Sequence, residues 1–349
     1  MRRATRAGDM QESKPLIDPV TGFLYPESWV AACTDREQLA LAASGLGVLT
    51  ASGKMLRRGY TTGTTAAAAC KAAVLSLENP VDSVTVRTPC GISLDVPVRC
   101  SRGRAEASKF AGDYPGDATA GLVFVAEAEA RHEGVTLETG EGIGRFSRET
   151  PRGRPGEPAI SPSALQEIME AITDGMEMTG IPGVAITLAV PGGHVTAGKT
   201  LNPRLGILGG ISVLGTTGLV EPWDDHMAGS VKERVAAAGR VVVTTGRLGL
   251  RYSRLHFPDH EIVLAGSGIG EALGAARGKV ILCGLPGLVL KFLFPGILQG
   301  TGCLTVEELS QTPVFSEKME EAFSIARTKY PFLRVVILSR DGEIMGDSG

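Results

Sequence analysis

The stretch RRGYTTGTTAAAACKAA, residues 57–73, carries side chains whose types and spacing suggest a binding site for an anion. Threonine is a good N-cap and alanine is the strongest helix former, so the sequence predicts a helix from Ala66 onward with the threonines at its start. A cap uses one hydroxyl, and the other hydroxyls would lie beside free N–H groups at the positive end of the helix dipole. The candidate anion contacts, with the cations close in sequence, are Thr61, Thr62, Thr64, Thr65, Arg57, Arg58 and Lys71. The alternative is that one threonine caps the helix and the others have no binding role.

A second candidate stretch is KTLNPRLGILGGISVLGTTGLVEP, residues 199–222, which contains five glycines. Each glycine costs roughly 0.5–1 kcal/mol inside an ordinary helix or strand, so this density indicates a packing or ligand reason. Thr216 and Thr217 precede a glycine as in the first stretch, and we expect them to face residues 61–65 across a cleft. Arg204 is a further candidate cation, although it could instead hold backbone carbonyls within the run. The alternative is a strained crossover between two domains, and both interpretations can hold together.

The remaining motifs give weaker signals. Asp113 and Asp117 lie on a Pro-Gly turn in KFAGDYPGDATAG, where carboxylates are usually solvated turn formers. The histidines are scattered, and Pro258 separates His256 from His260, so we expect no metal site. The glycines of EIVLAGSGIGEALG do not fit the dinucleotide-binding pattern, and no Gly-Lys-Ser/Thr sequence ends the threonine stretch as in a Walker loop.

Composition excludes several classes of protein. The chain has 349 residues, a net charge of −3 and a pI near 6.0, and 5% of its residues are aromatic. This balance indicates about two domains and argues against a nucleic-acid partner. The six cysteines form no CxxC pair, which favours reduced thiols in the cytoplasm. We expect no membrane partner, because three glycines, two prolines and a lysine interrupt the apolar residues 280–298, which we interpret as a buried strand followed by a helix.

The elements that would position these residues fall into three segments. We expect residues 1–54 to form an extension, with a capping box at Thr34 opening a short helix that ends at Gly45. Residues 55–221 alternate strands, at 83–88, 91–98, 120–130 and 184–190, with the alanine helix and a helix over 163–175. Residues 222–349 alternate apolar strands with helices, beginning with a helix over 227–238, which predicts parallel strands covered on both faces. The predicted fold class is α/β, with an α+β mixed-sheet first domain and a Rossmann-like second domain.

Five segments resemble the CbiD family of cobalt-precorrin-5B methyltransferases: RRGYTTGTTAAAACKAA, KFAGDYPGDATAG, GEGIGR, GEPAISP and NPRLGILGGISVLGTTGLVEP. The resemblance implies that S-adenosylmethionine methylates ring carbon 1 of cobalt-precorrin-5B, a tetrapyrrole, to give cobalt-precorrin-6A in anaerobic cobalamin biosynthesis. Cobalt would enter only within the substrate. The likeness is dense from Leu56 to Pro222 and thin beyond, where polar residues of the family pattern are missing around residues 267–270, 284–288 and 300–304. A non-catalytic corrinoid-binding paralogue and a nucleotide-dependent oxidoreductase are the alternatives.

Methyl transfer of this kind requires positioning more than a general base, because the sulfonium methyl group is already activated. The resemblance therefore implies that Arg58 and the threonines of residues 62–65 contact carboxylates of the substrate or of the donor. Asp113 or Asp117 would bind a ribose hydroxyl or the ammonium of the donor. We expect Arg58→Lys to weaken substrate binding, because lysine cannot form the two parallel hydrogen bonds that arginine makes with a carboxylate. A homo-oligomer is possible, and no catalytic residue is identified from the sequence.

Overall fold

The computed structural model describes residues 15–114, 116–150, 153–222, 231–266 and 268–349. The segment before the threonine stretch forms short elements. These are α1 (Glu27–Ala32), α2 (Arg36–Ala43), β1 (Gly47–Leu49), β2 (Met55–Arg57) and β3 (Gly59–Tyr60). Asp35 caps α2 by accepting hydrogen bonds from the backbone N–H groups of Glu37 and Gln38, at 2.8 and 3.4 Å. The predicted helix is confirmed, but Asp35 caps it, and the expected cap at Thr34 is wrong.

The middle of the chain builds a mixed sheet. Its elements are α3 (Thr62–Leu75), β4 (Ser83–Arg87), β5 (Ser93–Ser101), β6 (Arg104–Ser108), β7 (Val123–Arg131), β8 (Gly134–Thr139), β9 (Gly142–Ile143), β10 (Arg145–Phe146), α4 (Pro162–Thr179), β11 (Gly183–Ala189), α5 (Gly193–Ala197), β12 (Ile207–Leu208), β13 (Gly210–Ile211) and β14 (Leu219–Val220). Six strands pair in the order β4-β5-β6-β7-β11-β8, antiparallel except for the parallel pair of β8 and β11. Val84 and Val86 of β4 are buried while Ser83, Thr85 and Arg87 are exposed, so one face of the sheet packs on helices.

Helix α3 is buried along its whole length. It packs against strands of the six-stranded sheet and against α4. Its alanine side chains are small, so the sheet and the second helix approach it closely. A Cβ atom on Gly175 of α4 would lie 3.2 Å from side-chain atoms of Val74 on α3. The alanine run is therefore explained by packing between a helix and a sheet.

The last part of the chain forms a second, largely parallel sheet. Its elements are α6 (Val231–Ala237), β15 (Val241–Thr244), α7 (Gly246–His256), β16 (Glu261–Leu264), α8 (Ile269–Gly274), β17 (Val280–Gly284), α9 (Pro286–Leu293), α10 (Val306–Ser310), α11 (Phe315–Lys329), β18 (Leu333–Leu338) and β19 (Ile344–Asp347). The strand order is β16-β15-β17-β18-β19, and only β19 runs antiparallel to its neighbour. This arrangement confirms the α/β class with a Rossmann-like second half.

The segment that precedes the threonine stretch packs on the second sheet. Phe23, Trp29 and Leu49 share one buried apolar cluster with Val242 of β15 and Leu255 of α7. Helices α8, α9 and α11 contribute to the buried cluster on the opposite face of this sheet. Residues 15–54 thus complete the core of a sheet that begins almost two hundred residues later. The division into segments 1–54, 55–221 and 222–349 stays a prediction.

Several element boundaries differ from the sequence predictions. Helix α3 begins at Thr62 and not at Ala66. Helix α4 continues past the expected end at Gly175 and stops at Gly180, whose φ of 71° lies in the left-handed region that favours glycine. Strands β6 and β8 and helix α7 were not predicted. The helix expected over residues 227–238 lies partly outside the described residues, and its described part is α6.

Residues 280–298 confirm the interpretation of a buried strand followed by a helix. They contain β17, all of whose residues are buried, and α9. Among the residues that the structure describes, no helix is long and apolar enough to cross a membrane.

Candidate functional site

The threonine stretch and the glycine-rich run meet at the start of α3. Strand β14 pairs with β3, the backbone N–H of Thr61 donates to the Gly218 carbonyl at 2.9 Å, and that of Gly63 donates to Leu214 at 3.0 Å. The proximity predicted from the sequence is confirmed. At these positions the two segments are joined by direct backbone hydrogen bonds, and the expectation that they face one another across a cleft is wrong here.

The threonine hydroxyls also bind groups of the protein. Thr61 caps α3 by accepting from the backbone N–H of Thr64 at 3.2 Å, and the Thr65 hydroxyl donates to the Thr61 carbonyl at 2.8 Å. The Thr62 hydroxyl accepts from the backbone N–H of Leu214 at 2.9 Å. The four side chains are at most 6% exposed. Anion contact by Thr62, Thr64 and Thr65 stays a prediction, whereas their observed contacts tie α3 to the glycine-rich run.

A buried carboxyl group that sequence reasoning missed completes this junction. Glu167 of α4 is 2% exposed, and its Oε1 lies 2.7 Å from the Thr64 hydroxyl. The same hydroxyl lies 2.8 Å from the carbonyl oxygen of Gly218, yet it carries one proton to donate. A protonated Glu167 resolves this, because it donates to Thr64 and leaves the threonine proton for Gly218. Burial raises the pKa of Glu167 to about 7, although the Thr64 hydroxyl, which can donate to the ionised carboxylate, acts to lower it. Its position in an amphipathic helix gave no signal that the carboxyl would point inward.

Arg58 lies in a buried network and not at a surface. Its Nη1 and Nη2 atoms donate to the two carboxylate oxygens of Asp18 at 2.9 and 2.7 Å, and its Nε donates to Glu221 at 3.0 Å. A further hydrogen bond of 3.0 Å runs to the Gly45 carbonyl, and the arginine and Asp18 side chains are 0% exposed. Burial raises the pKa of Asp18, but the contacts with Arg58 outweigh it and hold the pKa below its ordinary value. Substrate contact by Arg58 stays a prediction that these partners do not favour.

The two aspartates of the acidic turn are also engaged within the protein. Asp113 accepts from the backbone N–H of Arg57 at 2.8 Å. Asp117 accepts from Lys109 Nζ at 2.6 Å and from the backbone N–H of Thr119 at 2.8 Å, and the lysine side chain is 2% exposed. Burial raises the pKa of Asp117, but these contacts outweigh it and leave the pKa below its ordinary value. Donor contact by either aspartate stays a prediction, and Asp113 is the more exposed of the two.

Lys71 is held away from the start of α3. Its Nζ donates to the Thr85 carbonyl at 2.9 Å and lies 3.4 Å from the carboxylate of Asp174. Lys71 and Asp174 line a surface depression with Glu177 and Met178. Lys71 therefore stands two helical turns from the threonines and does not assist them.

The glycines of the long run have a packing reason. Strand β13 lies beside β9, and a Cβ atom on Gly210 would stand 2.1 Å from the carbonyl oxygen of Gly142. The GEPAISP segment joins the same place, because the backbone N–H of Ala159 donates to the Gly144 carbonyl at 2.7 Å. The segments that resemble the family are thus brought together around the first turn of α3.

The remaining predicted site residues lie at the surface of this junction. Thr216 is exposed, and the half-buried Thr217 accepts from the backbone N–H of Leu219 at 3.3 Å. Arg204 is exposed and forms no hydrogen bond or ion pair with a described residue, so the expectation that it holds backbone carbonyls is wrong. Within the described part of the chain, no group of three or more histidine, cysteine or acidic residues could hold a metal ion.

Comparisons with known proteins agree with this arrangement. The family model named CbiD matches residues 49–222. A cobalt-precorrin-5B C(1)-methyltransferase of Methanospirillum hungatei is 52% identical over 95% of this chain and 99% of its own length. The protein of that name from Methanoculleus marisnigri is 55% identical over the same shares. The chain belongs to the CbiD family.

A solved relative extends the comparison to the fold. The crystal structure of a cobalamin biosynthesis protein (cbiD) from Archaeoglobus fulgidus is 35% identical, with a TM-score of 0.54 over 93% of this chain and 100% of that one. The family model ends at residue 222, as expected from the motifs, yet the curated relatives align far beyond it. The relatives that carry the methyltransferase name therefore align with the second half of this chain as well, although that half lacks polar residues of the family pattern.

Proposed function

We propose that this CbiD family member is an S-adenosylmethionine-dependent methyltransferase that acts on ring carbon 1 of cobalt-precorrin-5B, a tetrapyrrole of cobalamin biosynthesis, and forms cobalt-precorrin-6A. The observation that carries the proposal is the alignment of 95% of the chain, at 52–55% identity, with relatives of that name. The convergence of the family's motif segments at the start of α3 supports it.

This reaction requires the protein to hold two ligands, the methyl donor and the tetrapyrrole ring, side by side. A pair of electrons from the ring carbon forms the new carbon–carbon bond as the carbon–sulfur bond of the donor breaks, and S-adenosylhomocysteine leaves with the electron pair of that broken carbon–sulfur bond. When bound, S-adenosylmethionine supplies the activated methyl group, and the ring supplies the nucleophilic carbon. Alignment of the reacting atoms is worth up to about 7–11 kcal/mol in well-oriented systems. A rigid junction suits this task, because a displacement of the supporting backbone would misalign the two ligands.

The residues of the junction divide by exposure. Thr64, Glu167 and Arg58 are buried and act by fixing the backbone. Arg204, Thr216 and Asp113 are exposed, so they are predicted contacts that a ligand can reach. The donor carboxylate, ribose or ammonium is assigned to none of the buried groups, whose hydrogen bonds are used within the protein. Location in the cytoplasm and a homo-oligomeric state stay predictions.

The test is incubation with labelled S-adenosylmethionine and cobalt-precorrin-5B, followed by mass analysis of the ring. A mass gain of one methyl group at carbon 1, dependent on the protein, is expected. Tight ring binding without transfer would instead favour the non-catalytic paralogue. Parallel titration with NADPH addresses the oxidoreductase, for which the second half lacks the glycine pattern of dinucleotide binding. NADPH oxidation in place of methylation would overturn the proposal.

A further inference from the structure

We propose that two exposed arginines and three exposed leucines on the glycine-rich lobe form the surface that binds the carboxylate-bearing ring of the substrate. This arginine–leucine surface consists of Arg148, Arg204, Leu201, Leu205 and Leu208. The inference rests on the proposed function for the identity of the ring. It adds Arg148, which the sequence motifs did not indicate, and it replaces Arg58 as the group that pairs with substrate carboxylates.

The backbone that presents Arg204 is rigid. Asn202 is 5% exposed, and its side-chain amide donates to the Gly210 carbonyl at 3.2 Å and accepts from Ser212 at 3.1 Å. The backbone N–H of Ile207 closes the turn on the Asn202 carbonyl at 2.9 Å. Arg204 therefore stands at the outer end of a turn whose base is fixed by a buried side chain. A fixed backbone lowers the entropy that a ligand contact loses on binding.

Arg148 lies against the same turn. The backbone N–H and the hydroxyl of Ser147 both donate to the Gly206 carbonyl, at 2.8 and 2.9 Å. A Cβ atom on Gly206 would stand 2.9 Å from Nε of Arg148, so this guanidinium group passes directly over the glycine. Gly206 has a φ of 75°, which also favours glycine. The turn thus brings Arg148 beside residue 206, two positions from Arg204.

Both guanidinium groups are available to a ligand. Neither Arg148 nor Arg204 forms a hydrogen bond or an ion pair with any residue that the structure describes, and both are exposed. Arg145 differs, because it donates to Gly156 and Thr139 at 2.9 Å. Arginine can hold a carboxylate through two parallel charge-assisted hydrogen bonds, which are stronger than neutral ones. The free pair is therefore suited to two carboxylates on the rim of a ring.

The apolar part of the surface suits the face of a ring. Leu201, Leu205 and Leu208 are 40%, 44% and 54% exposed and lie within eight positions of the chain. Beneath them Phe146 and Ile207 form a small buried core with one further residue, which supports the lobe from inside. Exposed apolar side chains clustered beside cations mark binding surfaces for amphipathic ligands. A flat ring with carboxylates at its edge matches both halves of this surface, whereas a small inorganic anion would leave the leucines uncovered.

The test compares arginine variants on the full-length protein. Arg148→Gln and Arg204→Gln remove one charge each, and Arg99→Gln, an exposed arginine on β5, is the matched control. Binding is measured by absorbance titration with two probes, a cobalt corrinoid bearing free carboxylates and the corresponding carboxamide. We expect each variant to raise the Kd of the carboxylate probe roughly tenfold, and the double variant to raise it further. The carboxamide should bind the parent and all four variants with similar affinity, and thermal unfolding should be unchanged.

Steady-state assays then separate binding from chemistry. The double variant should raise KM for cobalt-precorrin-5B while kcat and KM for S-adenosylmethionine stay close to the parent values. Carboxylate binding by the double variant as tight as by Arg99→Gln would overturn the arginine assignment. If the parent protein binds the carboxylate probe through these arginines but transfers no methyl group, the proposed function fails while the surface stands. The two failures are therefore distinguishable.

Discussion

Replacing Glu167 by glutamine should change how the stability of the protein depends on pH. Glutamine keeps the shape of the protonated acid, and its amide can donate to the Thr64 hydroxyl as the acid does. The parent carboxyl group has one oxygen, Oε2, that is buried and has no hydrogen-bond partner in the described structure. An ionised carboxylate would therefore place charge on an unsolvated oxygen, whereas the neutral acid and the amide do not.

The magnitude follows from the pKa of Glu167. Burial raises it from 4.5 to about 7 in the folded protein. The folded state therefore holds the proton more tightly, so the stability linked to it is complete below pH 4.5 and is lost as pH rises through 7. At about 1.4 kcal/mol for each tenfold change in proton affinity, the loss is about 3 kcal/mol. The carboxylate of Glu170, on the same helix, also opposes the ionisation of Glu167.

Urea unfolding followed by circular dichroism at pH 4.5, 6, 7 and 8 measures this loss. Relative to Glu167→Gln, the parent should lose about 3 kcal/mol between pH 4.5 and pH 8, so the variant should be the more stable protein at pH 8. Glu177→Gln is the control, because this glutamate is exposed on the same helix. A difference between the parent and Glu167→Gln that stays constant across these pH values would refute the neutral buried acid.

Three further substitutions test the buried contacts. Arg58→Lys should lower the free energy of unfolding by about 3 kcal/mol, because an ammonium group cannot replace the guanidinium contacts with the buried Asp18 carboxylate, the half-buried Glu221 carboxylate and a carbonyl. Urea unfolding with an unchanged midpoint but weakened ring binding would restore the ligand role. Gly210→Ala should destabilise the protein by at least about 2 kcal/mol, because its Cβ would lie 2.1 Å from a backbone atom. Gly239→Ala is the control, because a Cβ on Gly239 meets nothing within 4 Å, and this variant should melt at or above the parent temperature. Asp117→Asn should cost about 3–5 kcal/mol, since it leaves the ammonium of Lys109 buried without a carboxylate, and a thermal shift below 1 °C would contradict this.

The sequence predicts the elements well where one physical signal dominates. The alanine run, the apolar strands of the second half and the strand–helix pair in residues 280–298 each follow from residue type alone. It fails where tertiary contacts decide. Thr62 and Thr65 enter α3 because their hydroxyls donate to backbone carbonyl oxygens within the fold. Gly175 stays helical because α3 needs a small residue opposite Val74. Helix α7 is not predicted, because its many polar residues are typical of a loop. The apolar residues that cover its buried face come from a distant part of the sequence, so no local pattern indicates a helix.

The sequence predicts where the candidate site lies, but not which contacts its residues make. The sequence correctly brought the threonine stretch beside the glycine-rich run, since both patterns demanded close backbone approach. It could not show that Arg58 pairs with Asp18, because the two lie forty residues apart and no local pattern links them. Nor could it show that Glu167 points inward, because a glutamate on an amphipathic helix is usually solvated. Among the candidate cations of the two stretches, Arg204 is the one that is exposed and has no partner among the residues that the structure describes.

These contacts explain why a motif that is typical of a family need not contain the residues that contact the ligand. The buried threonines and glycines of the family-like segments serve to hold backbone against backbone, and any larger side chain at Gly210 or Gly63 would meet atoms closer than 3.0 Å. The packed junction tolerates few other residue types at such positions, whether or not the residues contact a ligand. Ligand contact then has to come from groups that the junction presents outward. Arg204 and the neighbouring Arg148 meet that requirement, since each stands on fixed backbone with its guanidinium group unpaired among the described residues.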